Sequence, residues 1–147
     1  MARARPLRAQ GVTYSYDMLG EAARTDEDAR AYLDAYARAI DAIAADCVPG
    51  PVVRNPGISV KLSAIHPRYE EAQKARVMAE LAPRLLLLAQ KARAAGMGLN
   101  VDAEEADRLS LSLDVIEAVL SDPSLAGWDG FGVVVQAYGR RAGAVID

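Results

Sequence analysis

Lys61 is the residue whose type and setting point most directly to chemistry. It stands in Ile58-Ser59-Val60-Lys61-Leu62, an amine between apolar neighbours. A lysine there can pair with an anionic group of a substrate or, once desolvated, form a Schiff base with a carbonyl. The plainer alternative is a stem lying along apolar surface with its ammonium in water; the strand-central setting favours the functional reading. The second group is the acid cluster of Asn100-Val101-Asp102-Ala103-Glu104-Glu105. Asp102 and Glu104 share a face of an extended chain, so oxygen ligation of a divalent cation is conceivable, although no metal is expected. Acids also open helices, where they complement the dipole. That reading suits Glu105, whereas Asp102 falls earlier and is read as functional. Gln136, between Val135 and Ala137, can both donate and accept, which suits the edge of a heterocycle as well as a backbone-satisfied amide. His66, in His66-Pro67-Arg68-Tyr69, is read first as a group that shapes a loop and second as an acid-base group.

Several function classes fall away on composition. There is one cysteine, Cys47, and one histidine, which excludes an internal disulfide framework and any Cys-based or multi-histidine metal site. Seventeen basic against twenty acidic residues, a net charge of −3, give no electrostatic case for nucleic acid. Glycines form neither GxGxxG nor a Walker loop, so a Rossmann or P-loop nucleotide site is unsupported. The longest apolar run, Leu85 to Ala89, is far too short to span a bilayer, and the charged start Met1 to Arg8 has no apolar stretch behind it. A cytoplasmic protein of one domain is expected, with 52% apolar and 25% charged residues.

The elements that must position these residues alternate. Strands are expected over 13–19, 58–64, 99–104 and 131–138. Ala29, Tyr32, Leu33, Tyr36, Ile40, Ile43 and Ala44 recur at helical spacing behind Thr25, a suitable N-cap, and Pro49-Gly50-Pro51 stops that helix. A second helix is expected from about Glu70 to Ala95, carrying Val77, Met78, Leu81, Leu85 and Leu88, with Pro83 kinking or splitting it. Leu109-Ser110-Leu111-Ser112-Leu113 alternates like a strand, yet Leu109, Leu113, Ile116 and Leu120 fit one helical face; a helix ending near Asp122-Pro123 is the better reading.

Strand parity then selects an architecture. Ile58, Val60 and Leu62 oppose Ser59, Lys61 and Ser63; Leu99, Val101 and Ala103 oppose Asn100, Asp102 and Glu104; Val133, Val135 and Ala137 oppose Val134, Gln136 and Tyr138. A doubly wound sheet buries both faces, whereas a (βα)8 barrel turns polar inside at its C-terminal rim. The expectation is therefore an α/β, TIM-barrel-type fold with Lys61, Asp102 and Gln136 turned inward. A whole barrel needs about 250 residues, so residues 13–147 read as its first four βα units, a partial barrel, behind a lead-in of residues 1–12.

Four blocks, in order, resemble the proline dehydrogenase domain of bacterial proline utilization A proteins. They are Tyr14-Ser15-Tyr16-Asp17-Met18-Leu19-Gly20-Glu21-Ala22-Ala23, Ile58-Ser59-Val60-Lys61-Leu62-Ser63-Ala64-Ile65-His66-Pro67-Arg68-Tyr69, Asn100-Val101-Asp102-Ala103-Glu104-Glu105-Ala106-Asp107-Arg108-Leu109 and Gly132-Val133-Val134-Val135-Gln136-Ala137-Tyr138. The resemblance implies FAD-dependent oxidation of L-proline to Δ1-pyrroline-5-carboxylate, with electrons passed to a membrane quinone. It implies that Lys61 contacts the substrate carboxylate and that Asp102 is the active-site aspartate. It also implies that Ala103 lies with its backbone against the flavin and that Gln136 hydrogen-bonds the isoalloxazine.

By the same resemblance, a fifth strand with a flavin-contacting arginine, a last helix with paired arginines and a glutamate, and an aldehyde dehydrogenase module are expected in the full-length protein. That protein is expected in the cytoplasm, peripheral to the inner membrane. These 147 residues expressed alone are expected to be inactive. Two other readings stand beside this one: a barrel lyase using Lys61 as Schiff-base nucleophile, and an inert, self-associating half-barrel.

Overall fold

The computed structural model describes residues 5–147; the first four residues of the lead-in, and with them part of the charged start, lie outside them. A short helix α1 (Arg5–Arg8) is followed by β1 (Ser15–Asp17), α2 (Asp26–Ala44), β2 (Gly57–Val60), α3 (Lys74–Ala94), β3 (Gly98–Val101), α4 (Leu109–Leu120), β4 (Phe131–Val133) and α5 (Ala142–Ile146). The four strands form one parallel sheet in the order β1-β2-β3-β4. Each strand adds beside the one before it, without the reversal of order that marks the switch point of a doubly wound sheet. Helix α2 packs on α3 and α3 on α4, so the three long helices form one layer on one face.

Local chemistry explains the helix boundaries. Thr25 caps α2 by accepting from the Asp28 N–H at 3.0 Å, while the Asp28 carboxylate accepts from Thr25 N–H at 3.0 Å and Arg24 N–H at 3.1 Å. Such a capping box satisfies orphan donors of the first turn and is worth about 1 kcal/mol. Those bonds, chiefly the one with the Thr25 side chain, hold the Asp28 carboxyl below its ordinary range. Helix α3 runs as one helix through Pro83, so of the kink or split expected there the split does not occur, and it starts after a 3-10 turn at Glu71–Gln73. Pro83 removes one backbone hydrogen bond, but Leu81 and Leu85 on either side of it are fully buried and hold the register.

Helix α4 settles the ambiguous Leu-Ser-Leu-Ser-Leu run as helix, on a different face from the one expected. Leu111, Val115 and Val119, with Ile116, are buried; Leu109 and Leu113 are half-buried and Leu120 is exposed. The i, i+4, i+8 series points at α3, and alternation in five residues did not reveal it.

The strands are shorter than their apolar patterns. Past Val60 the chain enters a 3-10 turn, Leu62–Ala64, in which Ala64 and Ile65 N–H groups bond back to the carbonyls of Lys61 and Leu62. Burial continues there, with Leu62 and Ala64 in the core, so periodicity overruns the ladder. The pairing itself extends a little past β3 and β4: Asp102 N–H reaches the Val60 carbonyl and Val134 N–H the Val101 carbonyl.

Parity holds in the two central strands, β2 and β3, whereas in β4 Val133, expected on the buried side, is exposed. Ile58, Val60, Leu99 and Val101 are buried against α2, α3 and α4 with Tyr36, Ile40, Leu85, Leu88 and Leu111. The other face carries Ser15, Ser59 and Asn100, linked by 3.4 Å contacts from Ser15 Oγ to Ser59 Oγ and to Asn100 Nδ2. Gly132 makes room for this row, since a Cβ there would fall 2.0 Å from Asn100 Oδ1. No helix among the described residues is long and apolar enough to cross a membrane.

Candidate active site

Lys61 leaves β2 one residue past its last ladder position. Its backbone N–H donates to the Tyr36 hydroxyl at 3.2 Å, so the buried phenol of α2 pins the lysine's main chain from below. Burial pushes the Tyr36 pKa up, which keeps the phenol neutral. On the open face the Lys61 Nζ donates to Asp17 Oδ1 at 2.8 Å and to Asp102 Oδ2 at 3.0 Å. Side-chain exposures are 17% for Lys61, 57% for Asp17 and 21% for Asp102. The hydrogen bond to Asp17 is the largest cause of a lysine pKa raised above its usual range; burial opposes it and Asp102 adds to it. A Schiff-base nucleophile needs the free amine. An ammonium held between two carboxylates is the opposite condition, so this geometry does not favour the lyase reading.

Glu104 does not join Asp102 as a cation ligand. Its carboxylate accepts from the Ser63 N–H at 3.1 Å and from the Ser63 hydroxyl at 2.5 Å. Burial raises its pKa, against those two bonds. Among the described residues no group of three His, Cys, Asp or Glu side chains is placed to hold a metal. Ser63 in turn accepts at its Oγ from Ala22 N–H at 3.1 Å and at its carbonyl from Ala23 N–H at 2.9 Å. The Glu104 carbonyl accepts from Gln136 Nε2 at 3.1 Å. The loops after all four strands are thus laced together: β1 to β2 through Ser63, β2 to β3 through Glu104, β3 to β4 through Gln136.

A cleft of about 500 Å³ opens at the C-terminal ends of the strands. Lys61, Asp102, Ala103 and Gln136 all line it, with Glu21 and Val134 beside them. A smaller cavity of about 140 Å³ runs behind Asp102–Glu104 toward Leu113, Val133 and Val145. His66 is elsewhere in function. It is 1% exposed, its Nδ1 accepts from Arg68 N–H at 3.2 Å, and its Nε2 faces Glu80 Oε2 at 3.3 Å. That is the geometry of a loop-shaping imidazole, with its pKa lowered by burial.

The sequence reading missed Asp17, Ser63 and Tyr36. Asp17 was legible, because Ser15 and Asp17 share one parity of β1 as Ser59 and Lys61 do of β2. The Tyr36 hydroxyl carried no signal, for the ring counts as core at helical spacing.

Comparisons with known proteins identify the family. The proline dehydrogenase family model matches residues 1–147. The bifunctional protein PutA of Salmonella typhimurium is 54% identical over 147 residues, all of this chain and 11% of that protein. PutA of Rhizobium meliloti is 51% identical over the same residues, 12% of its length. A crystal structure of a variant of Bradyrhizobium japonicum proline utilization A superposes with a TM-score of 0.90 at 62% identity, over 94% of this chain and 14% of that one. The chain therefore spans about a tenth of the length of the curated relatives it matches. With a family match from end to end, and with the polar strand ends gathered into one cleft, the chain belongs to the proline dehydrogenase family of oxidoreductases.

Proposed function

We propose that this chain supplies part of the site at which a flavoprotein oxidises L-proline to Δ1-pyrroline-5-carboxylate. The observation that carries the reading is that Lys61, Asp102, Ala103 and Gln136 line one cleft at the strand ends. Proline is a zwitterion, so its carboxylate calls for a fixed cation and its ammonium for an anion; Lys61 and Asp102 are such a pair, 3.0 Å apart.

The family is flavin-dependent in general, and the residues present fit such a group. An isoalloxazine needs an apolar wall and an amide at its edge. Val134 and Ala103 supply the wall, and Gln136, whose Nε2 is anchored on the Glu104 carbonyl, presents the rest of its amide to the cleft. FAD bound there would accept the hydride from the carbon beside the substrate nitrogen, while the ammonium gives up a proton to solvent in the cleft as the C=N bond forms. This chain's own residues do the rest. Lys61 holds the carboxylate, Asp102 orients the ammonium, and the laced loops keep both in register, which is where positioning lowers a barrier.

The same reading makes residues 13–147 the first four units of a (βα)8 barrel. The in-order parallel sheet with helices on one face supports it. The remaining strands, the arginine clamp, the aldehyde dehydrogenase module and the passage of electrons to a membrane quinone belong to the full-length protein, in the cytoplasm at the inner membrane. These 147 residues alone would lack turnover. The test is anaerobic addition of L-proline to the flavin-loaded full-length protein, wild type and Lys61→Ala. Bleaching of the flavin absorbance that is lost in Lys61→Ala is expected; a protein that takes up no flavin, or whose flavin ignores proline, overturns the reading.

A further inference from the structure

The two carboxylates that hold Lys61 are not equivalent. Asp102 follows the Val60–Val101 pair by one residue and so lies beside Lys61 in the same layer of the sheet. Asp17 pairs with Ser59, one layer further down, on the neighbouring edge strand. Yet Asp17 makes the shorter contact, 2.8 Å against 3.0 Å. An ammonium has three N–H groups. Asp17 and Asp102 take one each, which leaves one for a ligand.

We propose that Asp17 is a positioning residue: it anchors the Lys61 ammonium from below, so that Asp102 can exchange that lysine for the ammonium of an amino-acid substrate while Lys61 takes the substrate carboxylate. This rests on the proline reading above. Were Asp102 the only partner, lysine and aspartate would neutralise each other, and a zwitterion would have to break that pair to enter. Leaving one partner of a part-buried ion pair uncompensated is costly. With Asp17 present the charges of the occupied site alternate: Asp17, Lys61, substrate carboxylate, substrate ammonium, Asp102. No charge loses its counter-charge at any point of the exchange. The other acids at the cleft leave Asp17 and Asp102 in this role, since neither Glu21 nor Glu105 bonds Lys61 and Glu104 is committed to Ser63. The raised lysine pKa, owed first to Asp17, is in keeping with the assignment.

The test is the pH dependence of Lys61 acylation by acetic anhydride, read by mass spectrometry. It is run on the wild-type protein and on Asp17→Asn, Asp17→Glu and Asp102→Asn, with circular dichroism to verify folding. In the flavin-loaded full-length protein, KM and kcat for L-proline are measured alongside. Asp17→Asn is expected to lower the Lys61 pKa by about one unit, which raises labelling at a fixed pH about tenfold. Asp102→Asn should raise it less, and Asp17→Glu should restore slow labelling. Asp17→Asn should also raise KM more than it lowers kcat. Wild-type labelling in Asp17→Asn, or fast labelling with KM unchanged, overturns the proposal. If Asp17→Asn does not fold, Asp17→Ser and Asp17→Glu carry the same comparison. Should the full-length wild-type protein ignore proline, the ligand assignment fails, and the labelling alone still decides whether Asp17 holds the lysine.

Discussion

Ser63 donates both its backbone N–H and its hydroxyl to the carboxylate of Glu104. The same serine receives Ala22 and Ala23 on its other side, and Glu104 passes the connection on to Gln136. Ser63→Ala should therefore cost stability and loosen the cleft together. Removing one bond to a charged acceptor is worth about 1.5–3 kcal/mol. Chemical denaturation of Ser63→Ala beside wild type checks the figure, and a change within experimental error would mean that the belt carries no load.

Glu104 adds a pH signature. Burial raises its pKa above the ordinary carboxylate value, so the folded state binds this proton more tightly than the unfolded chain does. The stability linked to this group is complete below about pH 4.5 and is lost as pH rises through the folded pKa. Glu104→Gln keeps the shape without the charge, and it should flatten the stability profile above pH ~4.5. Thermal unfolding across that range reads the difference; a profile as steep as wild type sinks the assignment.

His66 acts with the opposite sign. Burial lowers its pKa below 6.5, so the neutral imidazole is the folded form. Its contribution is present above about pH 6.5 and is lost as pH falls through the folded pKa. His66→Gln offers an amide oxygen to the Arg68 N–H and cannot charge. The variant should lose the part of the acid sensitivity that sets in below about pH 6.5. An unchanged profile would place that sensitivity on other groups.

Lys61→Ala and Asp102→Asn separate binding from turnover. In the flavin-loaded full-length protein Lys61→Ala should weaken proline binding by about 1.5–3 kcal/mol, the value of a charge-assisted hydrogen bond, while flavin is retained. Asp102→Asn keeps shape and hydrogen-bonding capacity, so it should lower turnover with the unfolding temperature near that of wild type. Equal loss of flavin in Lys61→Ala would make the lysine structural, and wild-type turnover in Asp102→Asn would remove the aspartate from the site.

The order of elements and the shared parity of Lys61 and Asp102 were legible because both depend on period-2 and period-3.6 patterns that burial enforces, whereas Gln136 lies past the end of β4, where no strand parity applies. The α2 start was legible because Thr25 and Asp28 are three apart with the right side chains. Strand ends were not. Leu62 and Ala64 stay buried after the ladder has given way to a 3-10 turn, and burial is all that a hydrophobic pattern reports. The buried face of α4 was misplaced because leucines at 109, 111 and 113 satisfy two periods at once. The contacts of Asp17 with Lys61 and of Ser63 with Glu104 join residues more than forty positions apart, which no local pattern encodes.

The last prediction concerns these 147 residues expressed by themselves. β1 and β4 bound the sheet, each with one edge that no described strand pairs. Unpaired parallel edges recruit other strands. Apolar side chains stand near both: Leu19, after β1, is 97% exposed, and Tyr138, after β4, is 87% exposed. A two-fold pairing of β4 with the partner's β1 would join four strands to four, the number a (βα)8 barrel closes with. Such a dimer would carry Lys61, Asp102 and Gln136 twice and an arginine clamp not at all. Size-exclusion chromatography with light scattering should show a dimer or larger species, and L-proline should not reduce a dye in its presence. A stable monomer that reduces dye with proline would overturn the four-unit reading of residues 13–147 and the role given to residues outside them.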